Sequence, residues 1–157
     1  MLQPDLLVST IGEVTPELLT GKGIEAVLVD LDDTLVPAGG DTLGEGAAAW
    51  FRLLAASGFR VLILSNGKPA RVAHWAEQLG VEGLPLVGKP LGRAFRRGLA
   101  LLGSEPQKTA MVGDQVFTDV LGANRMGLYS ILVSPLSPGR LFHTRLLRRV
   151  ERRIVKE

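Results

Sequence analysis

The stretch Val27-Leu28-Val29-Asp30-Leu31-Asp32-Asp33-Thr34-Leu35 decides how this chain is read. It begins as an apolar, strand-type run. It then places three carboxylates within four residues. Like charges that close repel, so crowding them adds no stability to a fold. A strand end holds such a cluster to bind a cation, to move a proton or to supply a nucleophile.

Apolar runs and helix-like stretches alternate outward from this point. Residues 25–31 read as a buried strand, 42–57 as a helix stopped by Gly58, and 60–64 as a second strand. Residues 69–79 read as a helix with Pro69 in its first turn and Gly80 as its stop. A short strand at 84–87, a helix at 91–102, a strand at 109–112, a helix at 116–126 and a strand at 129–133 follow. Residues 140–155 read as a last helix. Nearly continuous apolar strands alternating with helices imply a parallel sheet covered on both faces. The expected architecture is α/β: a three-layer, Rossmann-like, doubly wound parallel sheet of about five strands.

In such sheets ligands sit outside the carboxyl ends of the strands. The groups at or just past the successive strand ends are Asp30 and Asp32, Ser65 and Asn66, Lys89, and Asp114. Four strand ends in a row deliver polar or charged side chains to one edge. Carboxylates from different strands, Asp30 and Asp114, suit Mg²⁺, a hard cation that takes oxygen ligands. Ser65 and the backbone N–H groups around Asn66 and Gly67 offer donors to phosphate oxygens, and Lys89 adds a compact positive charge. Together they form an electrostatic cradle for a phosphoryl group. A carboxylate can attack phosphorus and form an aspartyl-phosphate. A second carboxylate can protonate the leaving oxygen and later deprotonate water. Asp30 and Asp32 have the spacing for these roles, because residues i and i+2 of an extended segment share a side. Asp33 then points away and takes a supporting or structural role.

Composition bounds the reading. The chain has 157 residues, 46% hydrophobic and 22% charged, as in an ordinary globular protein. One domain spanning 1–157 is expected, with a core that removes about 70% of the unfolded surface from water. No apolar run approaches the ~18 residues of a membrane span. Asp5 and Glu13 do not fit a signal peptide. The absence of cysteine excludes disulfides, thiolate metal sites and Cys nucleophiles. A cytoplasmic location is the expectation. The net charge of +2 hides an asymmetry: residues 140–157 carry seven Arg or Lys against two Glu, while the rest is slightly acidic. This tail is expected as a basic helix within the same domain. Its basic face would suit peripheral contact with an anionic membrane, or RNA; DNA binding is not expected.

The order Asp30-x-Asp32-x-Thr34, then Ser65-Asn66, then Lys89-Pro90, then Gly113-Asp114 with Asp119 resembles the haloacid dehalogenase superfamily. More narrowly it resembles the subfamily IIIA phosphatases of the YqeG type, which are similar to mitochondrial phosphatidylglycerophosphate phosphatases. The resemblance implies a Mg²⁺-dependent phosphomonoester hydrolase. It makes Asp30 the nucleophile and a metal ligand. Asp32 is the general acid/base, with its backbone carbonyl on the metal. Ser65, Asn66, Thr34 and Lys89 contact phosphate, and Lys89 neutralises its charge. Asp114 ligates the metal, and Asp119 is a ligand or supports one. Relatives often carry Asn where this chain has Asp33 and a second Asn where it has Gly67.

Many relatives also carry a cap domain. Here residues 35–58 leave room for a loop and one helix, and 67–89 for one helix and a link. The expected site is open, suited to a large or surface-presented ester such as phosphatidylglycerophosphate. The alternative is a soluble sugar or nucleotide phosphate, with an oligomer neighbour closing the site. Two other classes are a non-enzymatic phosphoacceptor, disfavoured because the Asp pair comes first and Asp114 follows Lys89, and an RNA- or ribosome-associated factor using the tail. Asp33 and Asp41 read as solvated loop residues, His74 and His143 as surface or packing residues, and Trp50, Phe51 and Trp75 as core or interface. Asn124-Arg125 reads equally as a helix-end device or as part of the site.

Overall fold

A computed structural model of the chain describes residues 2–89 and 91–137. Six strands, all paired in parallel, form one sheet: β1 (Leu6–Val8), β2 (Ala26–Val29), β3 (Arg60–Leu64), β4 (Glu82–Leu84), β5 (Thr109–Gly113) and β6 (Tyr129–Val133). Their order across the sheet is β1-β6-β5-β2-β3-β4. The chain thus starts winding one way from β2, through β3 and β4, and then the other way from β5. The carboxyl ends of β2 and β5 lie side by side where the direction reverses, and there an open sheet parts its loops into a crevice.

Strand alternation divides the core. Val27, Val29, Ile63, Ala110, Val112 and Ile131 face one layer of helices. Ala26, Leu28, Leu62, Leu64 and Met111 face the other. The first layer is α1 (Pro16–Gly21), α2 (Ala47–Ala56) and α3 (Pro69–Leu79), which add Leu19, Trp50, Phe51, Val72 and Trp75. The second is α4 (Gly92–Leu102) and α5 (Leu121–Met126), which add Phe95, Leu99 and Ala123. The aromatic residues at 50, 51 and 75 are therefore core. The Trp50 indole N–H is satisfied by the Val14 carbonyl at 2.9 Å. His74 is exposed and stacks edge-on against Trp75.

The structure departs from the sequence expectations in four places. It has a sixth strand, β1, only three residues long and on the sheet edge, where a half-exposed stretch leaves a weak apolar signal. A buried Ser130 docks it: Ser130 N–H donates to Asp5 Oδ2 at 2.9 Å, and Asp5 N–H donates to Ser130 Oγ at 3.0 Å. The helix expected over 42–57 begins only at Ala47, because Gly44 N–H bonds back to the Leu35 carbonyl and Gly46 takes a φ of 79°. The strand expected over 84–87 ends at Leu84; Pro85 has no N–H for a ladder, and Leu86 adopts a φ of 48°. The helix expected over 116–126 opens as a wide π-helical turn, Val116–Val120, before α5. The expected helix over 140–155, its basic residues and His143 lie outside the described residues.

The connections after β2 and β3 hold one helix each, α2 and α3, and no inserted domain. Among the described residues, no helix is long and apolar enough to cross a membrane.

Candidate active site

Every polar group assigned to the strand ends reaches one edge of the sheet. Asp30 follows β2 directly, and its N–H still pairs with Val112 on β5 at 2.9 Å. Ser65 follows β3, with its N–H on Leu84 of β4 at 3.0 Å. Asp114 follows β5. Lys89 lies five residues past β4. Asp30, Asp32, Ser65, Asn66, Gly67, Lys89, Gln115 and Thr118 line a cleft of about 240 Å³. Asp30 and Asp32 therefore do share one side, as the i, i+2 spacing requires.

Lys89 is the hub of the floor. Its ammonium is buried and donates to Asp30 Oδ1 at 2.8 Å and to Asp119 Oδ1 at 2.6 Å. Burial by itself pulls a lysine down, but the charges of Asp119 and Asp30 outweigh it and hold the ammonium firmly protonated. Asp119 gives its other oxygen to the Gln115 N–H at 3.3 Å. It lies flat on Gly113, where a methyl group would stand 2.1 Å from Asp119 Oδ2. Asp114 receives the Thr34 hydroxyl at 3.4 Å, so Thr34 supports an acid of the cluster.

Ligand oxygens of Asp30, Asp114 and Asp119 lie within 4.8 Å of one another, and all three residues are buried. One ammonium, bonded to Asp30 and Asp119, stands against the charge of three carboxylates. The imbalance is visible in the acidity of Asp114 and Asp119. Burial, then the charges of Asp30, Asp119 and Asp33, push Asp114 up to about 9. Burial raises Asp119 to about 6 despite the opposing pull of Lys89. An all-oxygen donor set with surplus negative charge fits a hard divalent cation.

One wall of the cleft is built by the turn into α3. The Gly67 N–H donates to Ser65 Oγ at 2.9 Å. A Cβ at Gly67 would lie 3.0 Å from Ser65 Oγ and 3.4 Å from Asp32 Oδ2, so this glycine lets the turn close over the cleft. The Asn66 side chain is used differently: it accepts from Lys89 N–H at 2.9 Å and donates to the Lys89 carbonyl at 3.4 Å, which fixes the lysine loop.

The structure corrects the reading of Asp33 as a solvated loop residue. Asp33 is fully buried with a φ of 63°, a backbone region that Asp tolerates better than most residues. Its carboxylate accepts from the N–H groups of Ala38 and Ser137, both at 2.9 Å, and its carbonyl from Leu136 at 3.0 Å. It points away from the cleft and ties two loops beneath it. Asp41 is exposed. Asn124 is a structural device at the opposite sheet edge, bonded to the Gln3 carbonyl and to Ser130.

Three neighbours of the site are not among the residues the sequence assigns to it. Gln115 and Thr118, bonded to each other at 3.0 Å, reach the cleft because the π-helical turn widens there. Arg71, on α3, donates to Asp32 Oδ1 at 2.9 Å. A lone arginine on a helix has no spacing that would mark it.

The family model for haloacid dehalogenase-like hydrolases matches residues 10–127. The chain is 37% identical over 152 residues to the probable phosphatase YqeG of Bacillus subtilis, spanning 97% of this chain and 88% of that one. It is 34% identical over 85 residues to a phosphoserine phosphatase of Thermus thermophilus, 48% of this chain and 34% of that protein. Among solved structures, a 3-deoxy-D-manno-octulosonate 8-phosphate phosphatase of Yersinia pestis superposes with a TM-score of 0.60 at 20% identity, over 82% of this chain and 74% of that one, a likeness of fold.

Proposed function

The chain belongs to the haloacid dehalogenase-like hydrolase family and is a phosphatase, and from that premise we propose that it hydrolyses phosphomonoesters through an aspartyl-phosphate on Asp30, with Mg²⁺ as cofactor. The observation that carries this reading is the convergence of Asp30, Asp32, Ser65 and Lys89 on one cleft at the point where the sheet reverses its winding. Asp30 Oδ attacks phosphorus as the ester P–O bond breaks. Asp32 delivers a proton to the departing oxygen, then takes one from the water that releases inorganic phosphate and regenerates Asp30. The Ser65 hydroxyl and the Asn66 N–H donate to the phosphoryl oxygens, and the Gly67 N–H orients the Ser65 oxygen. Lys89 keeps Asp30 in place and offsets the charge that develops. Asp30, Asp114, Asp119 and the backbone carbonyl of Asp32 would hold the cation, which when bound adds positive charge beside the phosphoryl group.

With no inserted domain after β2 or β3, the cleft is open, which suits a large or surface-presented ester. Phosphatidylglycerophosphate in an anionic membrane is the substrate we propose on that ground. Phosphate release is the test, using p-nitrophenyl phosphate, phosphatidylglycerophosphate vesicles and a soluble sugar- and nucleotide-phosphate panel. Wild type should turn over p-nitrophenyl phosphate with Mg²⁺, and Asp30→Asn should fall to background. Activity surviving in Asp30→Asn would sink the mechanism. Turnover of the soluble panel alone would sink the lipid assignment and favour a small phosphate ester enclosed by a neighbouring subunit.

A further inference from the structure

Asp32 stands at the start of a loop, and a carboxylate there has two free side-chain torsions. A group that must hand a proton to one departing atom cannot leave both unfixed. The structure fixes them through Arg71. Its Nε donates to Asp32 Oδ1 at 2.9 Å, and Nη2 approaches the same oxygen at 2.9 Å. The rest of the guanidinium grips the loop that carries Asp32: Nη1 donates to the Gly40 carbonyl at 2.8 Å and Nη2 to the Pro37 carbonyl at 3.4 Å. The two oxygens of Asp32 are thereby divided. Oδ1 faces Arg71, while Oδ2 faces Gly67, 3.4 Å from where a Cβ would stand on that cleft residue.

We infer that Arg71 is a positioning residue that turns Asp32 Oδ2 into the cleft and locks the 37–40 turn. The inference rests on the proposed role of Asp32 in proton transfer. Arg71 lies on α3, whose first turn follows directly from Ser65, Asn66 and Gly67. One rigid element thus fixes the phosphate donors and the proton carrier relative to each other. The same loop is held from below by Asp33, through Ala38. Only a guanidinium has the planar set of donors to reach one carboxylate oxygen and two carbonyls together. Arg71 is partly buried, with 27% of its side chain exposed, so solvent does not dissolve the arrangement.

The test separates positioning from plain structural support by using leaving groups of different basicity. An alkyl phosphate needs its departing oxygen protonated; p-nitrophenyl phosphate hardly does. Arg71→Ala should lose kcat/KM on the alkyl ester by roughly 100-fold and on p-nitrophenyl phosphate by less than about tenfold, within the range of a general acid's contribution, and Arg71→Lys should fall between it and wild type. Lysine, one compact charge, should restore only part of the alanine loss. Asp32→Ala should show the same selectivity, and adding Arg71→Ala to it should cost nothing further. Equal losses on both esters, or an undiminished Arg71 effect in the Asp32→Ala background, would overturn the inference while Asp30→Asn remains inactive. Activity in Asp30→Asn would instead overturn the aspartyl-phosphate reading, and this inference with it.

Discussion

Gly113 has no side chain because Asp119 occupies the space where one would be. A Cβ there would lie 2.1 Å from Asp119 Oδ2 and 2.6 Å from Asp119 Cβ, in a fully buried place. Asp119 in turn holds Lys89, and Lys89 holds Asp30. Gly113→Ala should therefore move the whole chain of contacts. We expect a stability loss of about 1–3 kcal/mol from overpacking, together with a fall in kcat/KM for p-nitrophenyl phosphate. Urea unfolding and steady-state kinetics on one preparation check both. A variant stable and active as wild type would show that Asp119 has room to shift without loss. Asp33 teaches the same lesson about single residues. Spacing correctly turned it away from the cleft, but its burial and its hold on Ala38 and Ser137 depend on a loop 104 residues further along the chain.

At the scale of elements, the second helix layer is set by small residues. Gly122 on α5 faces the Phe95 ring on α4, where a Cβ would stand 2.2 Å from Cε2. Gly98 lets α4 lie close on Leu28 of β2, where a Cβ would stand 2.9 Å from Leu28 Cδ2. Gly122→Ala should cost about 1–3 kcal/mol by forcing the two helices apart. Adding Phe95→Leu should recover part of that loss, a coupling that a double-mutant cycle measures. Strictly additive losses would mean that the two positions do not press on each other. The helices and most strands were legible because their apolar period and glycine stops are local properties. The short β1 and the late start of α2 were not, because they are settled by bonds to distant residues: Ser130 for β1, and Leu35 for the segment before α2.

At the scale of the whole molecule, the three-carboxylate cluster couples folding to pH and to metal. In the metal-free protein Asp119 is raised to about 6 and Asp114 to about 9, from an ordinary value of 3.8. Above 3.8 the unfolded chain releases protons that the folded cluster still holds. The contribution to stability is thus full below 3.8 and is lost as pH rises through about 6 and then about 9. Bound cation favours the ionised carboxylates, so its stabilisation grows in the same direction. With chelator present, the thermal midpoint should fall between pH 5 and pH 9, and Asp114→Asn should flatten the fall. Added Mg²⁺ should raise the midpoint more at pH 8 than at pH 5. A midpoint unaffected by Mg²⁺ at pH 8 would count against a cation at this cluster.

The α/β alternation, the parallel sheet and the four strand ends that carry Asp30 and Asp32, Ser65, Lys89 and Asp114 are legible in the chain alone. This is so because periodicity, helix stops and the position of a charge at the end of an apolar run are written in neighbouring residues. Folding alone settles which acids Lys89 holds, that Asp33 is buried, that Asn66 secures the lysine loop and that Arg71 grips Asp32. Each of those contacts joins residues 23 or more positions apart in the chain, except for the local setting of Asp33, which itself needs Ser137. Such pairs meet because the sheet order sets β2 between β3 and β5, and no local pattern encodes that order.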